Sequence, residues 1–217
     1  RLLIHFPRYR TYFSASTRRG EDLALMDDLV EQASQGLRTD ATVRLVAGFV
    51  TDAANDPARA FRTRFQQVTG ALLAKSHEDT AAFRWNRYLA ANEVGSLPDE
   101  ASMTAQEFND WLQTVKPAHM NLTSTHDTKR AEDARMRLVA ISHMPASFLA
   151  LWRRAADMPQ ADAVDANLRW YILQSLLAMW EPDRSDIEDR LRAHIEKAMR
   201  EAKRITSWTH PDTEAEQ

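Results

Sequence analysis

The sequence predicts a mainly α fold, and three observations carry that expectation. Glycine is sparse, five in 217 residues. Apolar residues recur at three- and four-residue intervals rather than in the strict alternation of half-buried strands. Helix-starting devices stand in front of several of those apolar runs.

The elements follow in chain order. Between Glu21 and Gln35, the residues Leu25, Met26, Leu29, Val30 and Ala33 share one face, the stripe of an amphipathic helix. Asp56 and Pro57 supply a cap and a first-turn proline for a second helix. Phe61 and Phe65 lie one turn apart on it, and Gly70 is expected to end it near Thr69 in a left-handed conformation. Thr104 and Glu107 form a capping box ahead of Phe108, Trp111, Leu112 and Val115, read as one buried stripe that stops before Pro117. Asp165 is expected to cap a helix that turns Leu168, Ile172, Leu176 and Met179 inward and ends before Pro182. Ser185 and Glu188 repeat the capping box before Ile187, Leu191, Ile195 and Ala198. The basic residues Arg200, Lys203 and Arg204 near that helix's end suit its dipole.

Strand candidates are short: Leu2 to Phe6, Ala71 to Lys75 and Asn121 to Thr125. The last two run into the polar clusters Lys75 to Thr80 and His126 to Arg130, each followed by a helix. Strand, polar turn and helix is the βα unit of a barrel, in which chemistry lies at the strand C-termini.

Composition excludes several classes. The charge balance of 28 basic and 31 acidic residues, net -3, offers no basic field for nucleic acid. The absence of cysteine removes disulfides, thiolate metal sites and cysteine nucleophiles, and a cytoplasmic setting fits. Apolar runs fall far short of the roughly 20 residues a membrane-spanning helix needs, so no membrane partner is expected. Arg1 in first position suggests a chain that starts inside a longer protein.

Two polar clusters invite chemical readings. An aspartate beside a histidine, His126-Asp127, suits general acid/base work or stabilisation of positive charge in a transition state. Alternatively, Asp127 caps a helix starting near Thr128. Ser76 and Asp79 similarly make a plausible capping box, which would leave Lys75 and Glu78 as ordinary solvated charges. The seven histidines (His5, His77, His119, His126, His143, His194 and His210) show no pair at helical ligand spacing, so no metal site is expected. Trp85, Trp111, Trp152, Trp170, Trp180 and Trp208 are read as core residues before sugar-stacking platforms.

Several strings taken together resemble the maltooligosyl trehalose synthases, isomerases of the α-amylase superfamily. They begin with Phe6-Pro7-Arg8-Tyr9-Arg10-Thr11-Tyr12, where the family usually shows FPVYRTY, and Arg64-Phe65-Gln66-Gln67-Val68-Thr69-Gly70. The Lys75 to Thr80 cluster and Asn92-Glu93-Val94-Gly95 follow. The most specific string is Ser124-Thr125-His126-Asp127-Thr128-Lys129-Arg130-Ala131-Glu132-Asp133. Arg200-Glu201-Ala202-Lys203 and Thr206-Ser207-Trp208 complete the match. The chain departs from the family at Arg8, at Ala82, Phe83 and Trp85 in the tract usually written AFYRY, and at Ser96 in place of the second glycine of NEVGG.

The resemblance implies a helical subdomain with late strand-helix segments of a (β/α)8 barrel. Residues 1–70 would form a helical subdomain segment, 71–145 late βα segments with inserted helices, and 146–217 a C-terminal helical segment. It implies a cofactor-free isomerase acting on maltooligosaccharides. In that setting Asp127 is the stabilising catalytic carboxylate, His126 its companion, and Lys75 and Glu78 hold the retained glucose. The family's nucleophilic aspartate and acid/base glutamate fall upstream of Arg1. The chain is therefore expected to need the rest of its own parent chain and to be inactive alone. The rival readings are a helical carbohydrate-binding or interaction module and a related glucan hydrolase, since a fold does not dictate one reaction.

Overall fold

The computed structural model describes residues 1–100, 102–118, 120 and 122–216, and the chain divides into two compact units, Arg1–Asp79 and Thr80–Gln217. The described residues form helices and turns and contain no strand, in agreement with a mainly α class.

In the first unit, α1 (Gly20–Ser34), α2 (Ala41–Thr51) and α3 (Asp56–Leu73) pack in sequence around one core. The expected stripe of α1 buries Met26, Leu29, Val30 and Ala33 against Ala47 and Val50 of α2 and Phe65 of α3. The start of α3 differs by one residue from the sequence expectation. Asn55 is the cap, its Oδ1 accepting the Ala58 N–H at 2.9 Å, and Asp56 is already in the first turn. Both residues are good caps, and Asn55 is the one with the extended backbone a cap requires.

The irregular segment ahead of α1 is held by α3. Phe6 meets Phe65 edge-on at 5.9 Å. The buried Gln66 side chain behaves like a strand partner: its Oε1 accepts the Phe13 N–H at 2.9 Å and the Thr11 hydroxyl at 3.2 Å, and its Nε2 donates to the Phe13 carbonyl at 3.2 Å. One turn later the Thr69 hydroxyl donates to the Tyr9 carbonyl at 2.8 Å. Gly70 does not end the helix. It lies within the helix, with the Tyr9 carbonyl oxygen at ordinary contact distance from where a Cβ would stand, and α3 continues to Leu73. Arg8 reaches the buried Asp22 at 2.5 Å, and the other Asp22 oxygen accepts the Tyr12 N–H at 2.9 Å.

The strand candidates form no strand. Leu2 to Phe6 is a run of turns and bends, Ala71 to Lys75 prolongs α3 into a π-helical stretch (Ala74–Ala81), and Leu122 to Thr125 is irregular, with Asn121 outside the described residues. A strand needs a neighbour to take up its backbone groups, and no described segment offers one. The Leu72 and Leu73 backbone groups continue the helical ladder instead.

In the second unit, α4 (Ala82–Arg84) packs on α9 (Ile187–Ala202), and α6 (Glu132–Ser142) and α9 both pack on α8 (Ala166–Met179). Phe83, Leu89, Leu138, Tyr171, Ala178, Ala198 and Ala202 form the core. Asp165 caps α8 as expected, accepting the Asn167 and Leu168 N–H groups at 3.1 Å. The Ser185 box does not form: Asp186 precedes α9 without a side-chain cap bond, and its carboxylate pairs with Arg184 at 2.7 Å. At the far end of α9, Lys203 takes a left-handed conformation with φ 53°, and Arg84 donates to the Ala202 carbonyl at 2.6 Å. The arginine kept from the family's AFYRY tract thus closes a helix C-terminus.

The capping box of α5 (Ala105–Thr114) is present, with Thr104 and Glu107 each bonded to the other's backbone N–H. Its stripe, expected to be buried, lies at the surface: Phe108, Trp111 and Leu112 are all exposed, and the rings of Phe108 and Trp111 stack at 5.9 Å. None of the six tryptophans is fully buried. Trp152 and Trp170 meet edge-on at 5.1 Å in the crevice between α8 and α7 (Pro145–Ala156), and Trp111, Trp180 and Trp208 are about half exposed. An amphipathic pattern specifies which face of a helix is apolar, but not that this chain supplies the cover.

Candidate functional site

Lys75 and Glu78 belong to the first unit and His126 and Asp127 to the second. Both of the first pair stand on the π-helical stretch Ala74–Ala81, a widened helical geometry frequent at functional sites. The proposed capping box of Ser76 and Asp79 is absent there. Ser76 donates to the Leu73 carbonyl at 3.4 Å, and Asp79 is the ion-pair partner of Lys75. Glu78 accepts the Tyr9 hydroxyl. Tyr9 was not singled out from the sequence as a site residue. Its place in the FPRYRTY string is the signal, because that string is pinned onto α3 just before the cluster.

His126 and Asp127 occupy a turn whose geometry bears on the capping reading of the aspartate. The Thr128 N–H donates to the Thr125 carbonyl at 3.2 Å and the Thr128 hydroxyl to the same oxygen at 2.7 Å, closing a turn over residues 125–128. The Asp127 N–H is bonded to the Thr125 hydroxyl at 3.2 Å. No helix starts at Thr128. The next one, α6, begins at Glu132, whose N–H donates to the Ser124 hydroxyl at 3.0 Å, so the local capping role falls to Ser124. The Asp127 carboxylate contacts His126 Nε2 at 3.4 Å, and these side chains are 73% and 91% exposed. A carboxylate in this position is free to meet a polyol.

The stem of that turn is buried and polar. Glu93 Oε1 accepts the Lys129 N–H at 2.6 Å and Oε2 the Arg130 N–H at 3.0 Å. The buried Arg130 guanidinium donates to the Asn92 carbonyl at 3.1 Å and lies over the Tyr171 ring, 5.8 Å from its centre. Tyr171 hydroxyl and His194 Nε2 are 2.8 Å apart, with their rings stacked at 5.6 Å. Burial, helped by the charges of Arg130 and Lys197, lowers the His194 pKa to about 4, so its imidazole is neutral and satisfied within the fold. Among the described residues, no three His, Cys, Asp or Glu side chains converge as a metal site, and no helix is long and apolar enough to cross a membrane.

These features define a mainly helical chain whose polar clusters sit on well-tied backbone. A protein of Mycobacterium tuberculosis (strain CDC 1551 / Oshkosh) that carries the name maltooligosyl trehalose synthase is 33% identical over 97% of this chain. The maltooligosyltrehalose synthase from Arthrobacter ramosus superposes with a TM-score of 0.80 at 27% identity over 99% of the chain. The Sulfolobus tokodaii hypothetical maltooligosyl trehalose synthase gives 0.76 at 30% identity over the same share. The chain covers 27% of the mycobacterial relative and 27% and 28% of those two structures. No family model matches it. The chain is a homologue of one segment of the maltooligosyl trehalose synthases.

Proposed function

We propose that this chain serves as part of an enzyme that converts the terminal α-1,4 linkage of a maltooligosaccharide into an α,α-1,1 linkage by intramolecular transglucosylation. What carries the reading is the solvent-facing His126–Asp127 turn, which caps no helix among the described residues, within a chain alike along its length to synthases of that name.

The chemistry is that of a retaining glycosyl transfer: a nucleophilic carboxylate and an acid/base carboxylate act through an oxocarbenium-like transition state. Asp127 serves as a third carboxylate, holding sugar hydroxyls and opposing the positive charge that develops at the ring. His126 is its hydrogen-bonding companion on the same sugar. Lys75 and Glu78 hold the reducing-end glucose while it turns over and presents its anomeric hydroxyl, a step from which water must be excluded. The nucleophile and the acid/base residue come from the rest of the parent chain. No cofactor is required, and a cytoplasmic setting suits a chain without cysteine.

The test is the full-length protein on maltopentaose, with product linkage read by proton NMR and Asp127→Asn alongside. A non-reducing α,α-1,1 product is expected from the wild type. The variant should lose roughly 100-fold or more of the turnover while keeping its fold, the scale seen when one transition-state-stabilising group is removed. Free glucose and shortened maltooligosaccharides as the main products would replace the isomerase reading with a hydrolase. Unchanged turnover in Asp127→Asn would remove the residue from the site.

A further inference from the structure

Glu93 stands beside the turn that carries Asp127, and its geometry is that of a clamp. Its side chain is only 12% exposed, yet it carries a carboxylate. Oε1 accepts the N–H of Lys129 at 2.6 Å and that of Val94 at 2.8 Å, and Oε2 accepts the N–H of Arg130 at 3.0 Å. The Arg135 guanidinium approaches Oε2 at 3.8 Å. Lys129 and Arg130 are the two residues that follow the 125–128 turn, so the carboxylate grips its exit.

The entry to the turn is held from α6. Arg135 donates to the Thr123 carbonyl and, at 2.9 Å, to the Arg130 carbonyl, and Ser124 accepts the Glu132 N–H at 3.0 Å. Backbone on either side of His126 and Asp127 is therefore tied down, while the two side chains themselves face solvent. Glu93 is placed in turn by Ser96, whose hydroxyl accepts the Glu93 N–H at 2.9 Å and donates to the carbonyls of Ala91 at 2.6 Å and Glu93 at 2.7 Å. Gly95, at φ +76°, permits the reversal that brings Ser96 back over Glu93.

We propose that Glu93 is a positioning residue for catalysis: its carboxylate fixes the Lys129–Arg130 backbone and thereby the direction in which Asp127 meets the sugar. The inference rests on the catalytic reading of Asp127 given above. A carboxylate suits the task because it accepts from two consecutive N–H groups at once, and charge-assisted bonds of this kind are short and strong. An amide of the same shape offers one accepting oxygen and turns an NH2 group toward the other donor.

The experiment is a double-mutant cycle in the full-length protein on maltopentaose, using Glu93→Gln, Asp127→Asn and the pair, with thermal melting to confirm folding. A misplacement of about 1 Å can cost on the order of 100-fold in rate. Glu93→Gln is therefore expected to lower kcat about 10- to 100-fold with KM changed less than about threefold. The double variant should be no slower than Asp127→Asn alone, because a positioning residue has nothing left to position. Glu93→Asp, which keeps the charge but shortens the reach, should fall between the wild type and Glu93→Gln, and it carries the same cycle if the glutamine variant does not fold. In parallel, the Lys129 and Arg130 amides should exchange with solvent at least about tenfold faster in Glu93→Gln than in the wild type.

A kcat within about twofold of wild type in Glu93→Gln, beside an inactive Asp127→Asn, would overturn the positioning role and leave the catalytic reading intact. So would losses that simply multiply in the double variant. Full turnover in Asp127→Asn would overturn both together.

Discussion

His194 shows how a partly buried titratable side chain can be structural. It is stacked on Tyr171, bonded to its hydroxyl and close to the Arg130 charge, and its pKa is lowered from 6.5 to about 4. Above pH 6.5 the imidazole is neutral in both the folded and unfolded chain and contributes no pH dependence. As pH falls below 6.5 the unfolded chain binds the proton first, so folding loses stability until both forms are protonated near pH 4. At roughly 1.4 kcal/mol per pH unit the loss approaches about 3 kcal/mol. Urea unfolding of the wild type and His194→Gln between pH 7.5 and 4 should therefore show their stability difference shifting by that order in favour of the variant as pH falls. A difference that stays constant would mean that His194 is solvated. The sequence showed only that His194 has no histidine partner at metal-ligand spacing. Its neutral state was beyond reach, because Tyr171 lies 23 positions and Arg130 64 positions away in sequence.

At the scale of elements, caps were the most legible features and also the ones most often displaced by a residue. The Thr104–Glu107 box and the Asp165 cap stand where the sequence put them. The α3 cap moved from Asp56 to Asn55, and the α9 start from Ser185 to Asp186. Local sequence announces that a helix begins, whereas the backbone angles at one residue decide which side chain reaches the free N–H groups. Asn55→Ala should destabilise the folded chain by about 1 kcal/mol through loss of the bond to Ala58, read as a lower urea midpoint with an unchanged slope. Asp56→Ala should cost only a few tenths, since its pairing with Arg59 is exposed. Equal losses would mean that the cap is shared. At α3 the two family strings Phe6 to Tyr12 and Arg64 to Gly70 were visible separately. Only folding showed that one is the receptor for the other, through Phe65, Gln66 and Thr69.

For the whole molecule, the proposed function sets a requirement on chemistry. Retaining glycosyl transfer needs a nucleophile and an acid/base carboxylate about 5–5.5 Å apart, and the exposed turn supplies one carboxylate beside a histidine. On the proposed function, the 217-residue chain alone is therefore expected to release no α,α-1,1 product from maltopentaose under conditions in which the full-length protein is tested. Product from the chain alone would require that its own acids form a complete centre. The exposed stripe of Phe108, Trp111 and Leu112 was misread as core for a related reason: hydrophobic spacing reports what a helix face prefers, not who covers it.

The sequence by itself determined the helical class, the stripe of α1, two of the caps and the identity of the candidate side chains. Each of these depends on residues within one or two turns of each other, where spacing and side-chain chemistry act locally. Tertiary structure alone decided that Leu72 and Leu73 prolong a helix instead of forming a strand, and that Asp127 caps no helix among the described residues. It also decided that Glu93 grips the turn from 36 and 37 residues away. Backbone hydrogen bonds are satisfied by whichever partner folding brings within reach, and for these groups the partner lies far off in sequence or its choice depends on the packing around it.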